Sequence, residues 1–296
     1  MTSQTSIREQ LARVRATGSG AARDLAVGAW RIRFEGLGET LAGVLDARWG
    51  DFVTAPAGEP PTARVSVREA EALAGLPTAS PGEGYRLEAT LEGGPILVTS
   101  YAFAMAERRA GEWVLALAPA AGEPPGRTMD NVARWLVARL ATAGGGLALH
   151  GAGILNGGVA WVFAGPSRAG KSTASRLASP APSLGDDFAV VVPSGTGWRV
   201  PAVPFDNSEK APRLIAGLHP LGGILRLFQA QDVRLDRPVS ALAAASLMAC
   251  VAFPWALPDR LDSMQEVAQR LVTEELFNHL HLTLDPQFMH LLGEPR

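Results

Sequence analysis

The sequence predicts an α/β protein in two parts: a small α+β domain over residues 1–120 and a larger α/β domain with a mixed sheet over residues 128–296. Three observations predict it. Residues 163–173 read Phe-Ala-Gly-Pro-Ser-Arg-Ala-Gly-Lys-Ser-Thr, which fits G-x-x-x-x-G-K-[ST] without a mismatch, between an apolar run and a helix-compatible run. Asn156-Gly157-Gly158 stands between two apolar runs, a hairpin signal that places an antiparallel neighbour beside the strand feeding that motif. Ala-Ala-Gly-Glu-Pro-Pro, residues 120–125, reads as the linker between the two parts.

Taken in order, residues 1–22 read as a short polar helix or a loose lead-in. Residues 25–34 alternate in part and predict a strand, and residues 39–49 have helical spacing. The Pro-, Ala- and Gly-rich residues 54–61 predict a loop. Strands are expected over 62–67, 85–91 and 96–106, the last two joined through Glu92-Gly93-Gly94-Pro95, with a further one over 113–117. No motif in residues 1–120 converts into chemistry, so a scaffold or substrate-docking role is the expectation there.

A helix is expected from Thr128 to the glycines at 144–146, with Val132, Trp135, Leu136 and Leu140 at helical spacing. Strands are expected over 147–155 and 159–163, a helix over 172–177, and a strand over 188–192 entered through Asp186-Asp187. There follow a strand over 198–205, a polar loop over 206–210, a strand over 224–228, helices over 239–251 and 261–275, and a late strand over 279–284. His279 and His281 would share one face of that strand; no third ligand accompanies them, so they read as half-exposed strand residues. Cys250 lies in an apolar run and reads as a core thiol.

The motif's spacing has a chemical reason. Gly165 and Gly170 allow backbone conformations that a side chain would block, so in the intervening Pro166-Ser167-Arg168-Ala169 segment the N–H groups of the three residues after Pro166, with those of the helix start, can line one concavity. Lys171 would reach the β- and γ-phosphates of a nucleotide, and the Ser172 hydroxyl, beside Thr173, would hold Mg²⁺. Asp186 and Asp187 follow the loop helix, where they could supply a magnesium contact and a general base; an Asp-rich turn is the plainer reading, and the loop upstream outweighs it. Arg168, Lys210 and Arg213 could clamp phosphate or substrate, although each reads first as an ordinary surface charge.

Composition narrows the classes. Hydrophobic residues make up 47% of 296, enough for a substantial core. Net charge is -2, with no basic half or patch to suggest nucleic acid or an anionic membrane as partner. A single cysteine permits no intrachain disulfide, the polar first ten residues lack an apolar signal core, and no long apolar run appears, so a cytoplasmic protein is expected. Lys171 and Lys210 are the only lysines among 27 basic residues. At position 171 a compact ammonium suits a crowded phosphate loop better than a guanidinium would.

His150-Gly151, the hairpin, the phosphate loop and Gly185-Asp186-Asp187 occur in an order that resembles the HPr kinase/phosphorylase superfamily, whose loop is related to that of phosphoenolpyruvate carboxykinases. The resemblance covers residues 147–285, and the strand and helix over 276–292 also look like the tail of such proteins. It implies a P-loop domain of that type. It implies that residues 165–173 bind ATP phosphates, and that Ser172 and one carboxylate, Asp186 in preference, hold Mg²⁺. It implies Asp187 as the base that accepts the proton of an incoming hydroxyl, with exchange of the two Asp roles open. His150 would lie near the transferred phosphate, where it could orient water or substrate or stabilise charge. The glycine- and Ile-rich signature of bacterial HPr kinases is absent and residues 1–120 have no counterpart, so the chain is similar to divergent members, among them kinases of ribosomally made peptides.

The expectation is therefore a Mg-ATP-dependent kinase that moves the γ-phosphate to a hydroxyl, a serine of a peptide or protein first. The alternatives are a nucleotide-dependent switch that hydrolyses slowly without a phosphorylated product, and a small-molecule kinase. Homo-oligomers are open, since HPr kinases assemble.

Overall fold

The computed structural model describes residues 3–13, 20–56, 58–70, 73–78, 86–92, 94–118, 123–195, 197–205 and 215–292. The chain is α/β and forms two compact units, Met1–Trp135 with Trp255–Pro258, and Leu136–Pro254 with Asp259–Arg296. Each has its own sheet.

In the first unit, α1 (Ser3–Ala12) precedes β1 (Ala21–Val27) and β2 (Trp30–Leu37). Then come α2 (Glu39–Trp49), β3 (Val53–Thr54), β4 (Ala63–Glu69), β5 (Glu88–Thr90), β6 (Leu97–Thr99), β7 (Phe103–Arg109) and β8 (Glu112–Leu117). The sheet order is β3-β1-β2-β4-β8-β7-β6-β5. Only β2–β4 and β4–β8 are parallel, among its described pairs. The single strand expected over 25–34 is instead the hairpin β1–β2, turning at Gly28 with φ 58. Glycine takes that left-handed conformation at little cost, and it suits the first position of a tight hairpin turn. The strand expected over 96–106 is likewise two, broken where Ser100 Oγ accepts the Ala102 N–H at 3.0 Å. That local bond offers the backbone a turn in place of the ladder.

The core of this unit forms between the sheet and its helices. α2 buries Leu41, Leu45 and Trp49, the last 5.5 Å from Phe34. Ile7 and Leu11 of α1 pack on Leu97, Ala104 and Val114, so the polar-looking lead-in carries one apolar stripe. The Trp49 indole donates to Asp130 Oδ1 at 2.9 Å, and Arg48 Nε donates to the other oxygen at 2.6 Å. Asp130 lies on α3 (Pro125–Ala143), which begins three residues before the expected Thr128. Of the expected linker, residues 120–122 lie outside the described residues, and Pro125 already belongs to α3.

Trp135, also on α3, is fully buried, donates Nε1–H to Ala256 O at 2.8 Å, and stands edge-on to Trp113 at 5.3 Å. Trp135→Ala is expected to cost about 3–5 kcal/mol of stability through the cavity it leaves. Denaturant unfolding followed by circular dichroism measures this, and an unchanged midpoint would contradict the packing described.

The second unit contains β9 (Leu147–Leu149), β10 (Gly151–Asn156), β11 (Val159–Ala164), α4 (Lys171–Leu177), β12 (Ser183–Gly185), β13 (Ala189–Ser194) and β14 (Gly197–Pro201). It continues with β15 (Leu218–Gln229), β16 (Arg234–Asp236), α5 (Ser240–Met248), α6 (Leu261–Thr273) and β17 (Phe277–Leu282). The main path is β12-β10-β11-β15-β14-β13-β9, with β17 joined to β15 and β16. The sheet is mixed. β10 and β11 form the antiparallel hairpin that Asn156-Gly157-Gly158 signals, whereas β15 runs parallel to both β11 and β17.

β15 is twelve residues long, against the five expected, because β14 pairs with its first part and β11 and β17 with the rest. The strand expected over 147–155 breaks at His150, where the chain leaves one neighbour, β13, for another, β11. α4 packs through Ala174 and Ala178 onto Phe163, Leu225, Leu227 and Leu280, fixing the loop helix to one face of the sheet. Among the described residues no helix is long and apolar enough to cross a membrane.

Candidate functional site

The loop over residues 165–170 leaves the carboxyl end of β11 and enters α4 at Gly170, whose φ of 102 caps the helix without side-chain help. A Cβ on Gly165 would meet Ala169 Cβ at 2.9 Å, so the first motif glycine is required by the loop's tight closure. Two bonds pin the loop. Gly165 N–H donates to His150 O at 3.1 Å, and Gln229 Nε2 donates to Arg168 O at 3.2 Å. Arg168 itself holds φ 66, a left-handed conformation that costs a side-chain-bearing residue and that Gln229 helps to hold.

Lys171 folds back under the loop. Its ammonium donates to Gly165 O at 3.1 Å and Pro166 O at 3.0 Å and lies 3.5 Å from Asp187 Oδ1, with 6% of the side chain exposed. A buried ammonium needs such partners to offset its lost hydration. The Ser172 hydroxyl lies 3.0 and 3.1 Å from the two carboxylate oxygens of Asp186 and donates into that pair.

The two carboxylates arrive on the short connection between β12 and β13. Gly185 enters it with φ 146, where a Cβ would collide with Val203 Cγ2. Asp187 takes φ 67, which an Asp tolerates better than most residues. This kink separates the pair: Asp186 is buried on Ser172, and Asp187 is turned toward Lys171 with 40% of its side chain exposed. Adjacent residues of the same type therefore occupy different environments, one closed on a hydroxyl and one open to an incoming group.

His150 joins the site through its main chain. Its N–H donates to Cys250 O at 2.8 Å, while its C=O receives Gly165. Its ring lies 6.3 Å from that of Phe253. Cys250 is fully buried, and burial pushes its thiol up to about 11 although Arg226 and Lys171 draw it down. It is a core thiol in the neighbourhood of two cations.

The structure thus gathers residues 165–173, His150, Asp186 and Asp187 at one end of β11. Lys210 and Arg213 lie outside the described residues. Among the described residues no three His, Cys, Asp or Glu converge as a metal cage. His279 contacts Ser246 Oγ at 2.8 Å, and His281 lies 2.9 Å from Asp236, both half-buried on β17. Arg226 and Gln229 belong to this neighbourhood too. The available signal for Arg226 is a charge inside the apolar run Ile224-Leu225-Arg226-Leu227-Phe228. No protein-family model matches this chain, and no curated protein matches it.

Proposed function

We propose that the chain is a Mg-ATP-dependent kinase of the HPr-kinase-like P-loop type that transfers the γ-phosphoryl group to a hydroxyl, a serine of a peptide or protein. One observation carries the reading. A motif-perfect phosphate loop has its lysine beside one carboxylate and its serine closed on a second, both from one short turn. A glycine-rich turn needs neither pairing.

The magnesium site is argued from its donor set. Ser172 and Asp186 already converge as a hydroxyl and a carboxylate, a hard oxygen pair of the kind Mg²⁺ takes while keeping water and phosphate oxygens as its other ligands. The ion, when bound, would neutralise charge on the phosphate oxygens. Lys171 would exchange its bonds to the loop carbonyls for phosphate oxygens. Asp187, exposed and adjacent, would accept the acceptor's proton. In balance, a bond forms between the acceptor oxygen and the γ-phosphorus, the bond to the bridging oxygen breaks, ADP leaves with that electron pair, and the proton passes to Asp187. The chemistry asks for positioning and charge neutralisation more than covalent participation.

Label transfer from γ-phosphate-labelled ATP with magnesium, in a lysate of the source organism, tests the proposal. A labelled protein or peptide that depends on added enzyme is the expected result. Label released only as free phosphate would replace the kinase reading with the nucleotide switch.

A further inference from the structure

Arg226 stands on β15 in register with Ala164, the residue before the loop's first glycine. Its Nη1 donates to Ser246 Oγ at 2.6 Å and to Ser246 O at 3.1 Å, and its guanidinium lies over the Phe228 ring at 5.2 Å. Nε is buried and has no hydrogen-bond partner. Among the described residues no carboxylate pairs with this side chain; its polar contacts run to Ser246 alone. Ser246 Oγ, already receiving Arg226, directs its own proton to His279 Nε2 at 2.8 Å. His279 is held below its usual range by burial and then by the Arg226 charge, which favours the neutral ring as that acceptor. Among Arg226, Ser246 and His279 the charge is therefore that of Arg226; the Asp236 carboxylate, which also acts on His279, pairs with His281 and Arg234. Lys171, whose charge also reaches the Cys250 thiol, has Asp187 as counter-ion.

A partly buried cation with no carboxylate paired to it, among the described residues, gives up hydration that Ser246 and the Phe228 ring replace only in part. The Nε–Nη2 side of a guanidinium is an edge that donates to two oxygens of a phosphate or carboxylate at once, and on Arg226 it has no partner among the described residues. Arg226 stands on the strand beside β11, at the end where the loop begins. We propose that Arg226 binds the γ-phosphoryl oxygens of the nucleotide and carries their charge during transfer. This rests on the kinase reading above and adds a residue to the same site.

The test compares the affinities of a magnesium-bound non-hydrolysable ATP analogue and of magnesium-ADP, by calorimetry, for the full chain and for Arg226→Gln, Arg226→Lys and Ser246→Ala. Arg226→Gln is expected to weaken the triphosphate by about tenfold or more and to change ADP by less than about twofold. Arg226→Lys keeps the charge without the fork and falls between. Ser246→Ala frees the fork and loses triphosphate affinity in the same direction, so the proposal stays decidable if Arg226→Gln does not fold. Equal losses for both nucleotides, or no loss for either, would overturn the Arg226 assignment and leave the kinase reading standing. Failure of the wild-type chain to bind either nucleotide would overturn both.

Discussion

Lys171→Ala is expected to abolish productive nucleotide binding. The ammonium is the one lysine of the site among the described residues and has direct bonds to the two loop carbonyls that would frame a bound phosphate. Each charge-assisted bond to phosphate contributes about 1.5–3 kcal/mol, so losing the group lowers affinity for magnesium-ATP by about a hundredfold. The fold should survive. Removing the buried ammonium also removes its desolvation cost, and the Asp187 side chain is 40% exposed, so water can reach its carboxylate. Calorimetric titration with magnesium-ATP, beside a thermal melt, checks both halves. Wild-type affinity in Lys171→Ala would remove residues 165–173 from the site.

Asp187→Asn should show the opposite pattern, with binding kept and transfer lost. Amide for carboxylate preserves shape while removing the proton acceptor, and general-base contributions run to about 10²–10⁴-fold in rate. The Lys171 ammonium keeps its two carbonyl partners in this variant. Single-turnover label transfer at saturating ATP measures the loss, and a rate equal to wild type would refute Asp187 as base. Asp186→Asn separates the two carboxylates: its effect should appear as a raised magnesium requirement, because Asp186 is the one closed on Ser172. If the magnesium effect follows Asp187 instead, the two roles are exchanged.

What the sequence shows of this fold depends on how local each cause is. The β10–β11 turn is legible because Asn156-Gly157-Gly158 declares it, and the motif glycines announce a loop that closes against itself. The turn at Gly28 is hidden because the residues on both sides keep alternating and Ala29 carries no turn signal. The break at His150 is not local at all: it follows from a change of strand partner and from Cys250 O, a hundred residues on. The candidate site divides in the same way. Asp186-Asp187 is visible as a pair, but their separation comes from the positive φ of Asp187 and the fit of Gly185 against Val203. Arg226 is visible as a charge in an apolar strand, whereas its lack of a counter-ion is a property of the folded neighbourhood.

The main-chain attachment of His150 makes its side chain separable from its scaffold role. Two bonds that tie this residue into the site, from its N–H to Cys250 O and from Gly165 to its C=O, use atoms that every non-proline residue possesses. Truncating the imidazole therefore leaves these two main-chain bonds in place, and a kinetic change measured in such a variant reports on the ring and its contacts. Proline at the same position would remove the imidazole and also cut the tether to Cys250 by deleting the donor. The difference between the two variants at this one codon therefore isolates the tether.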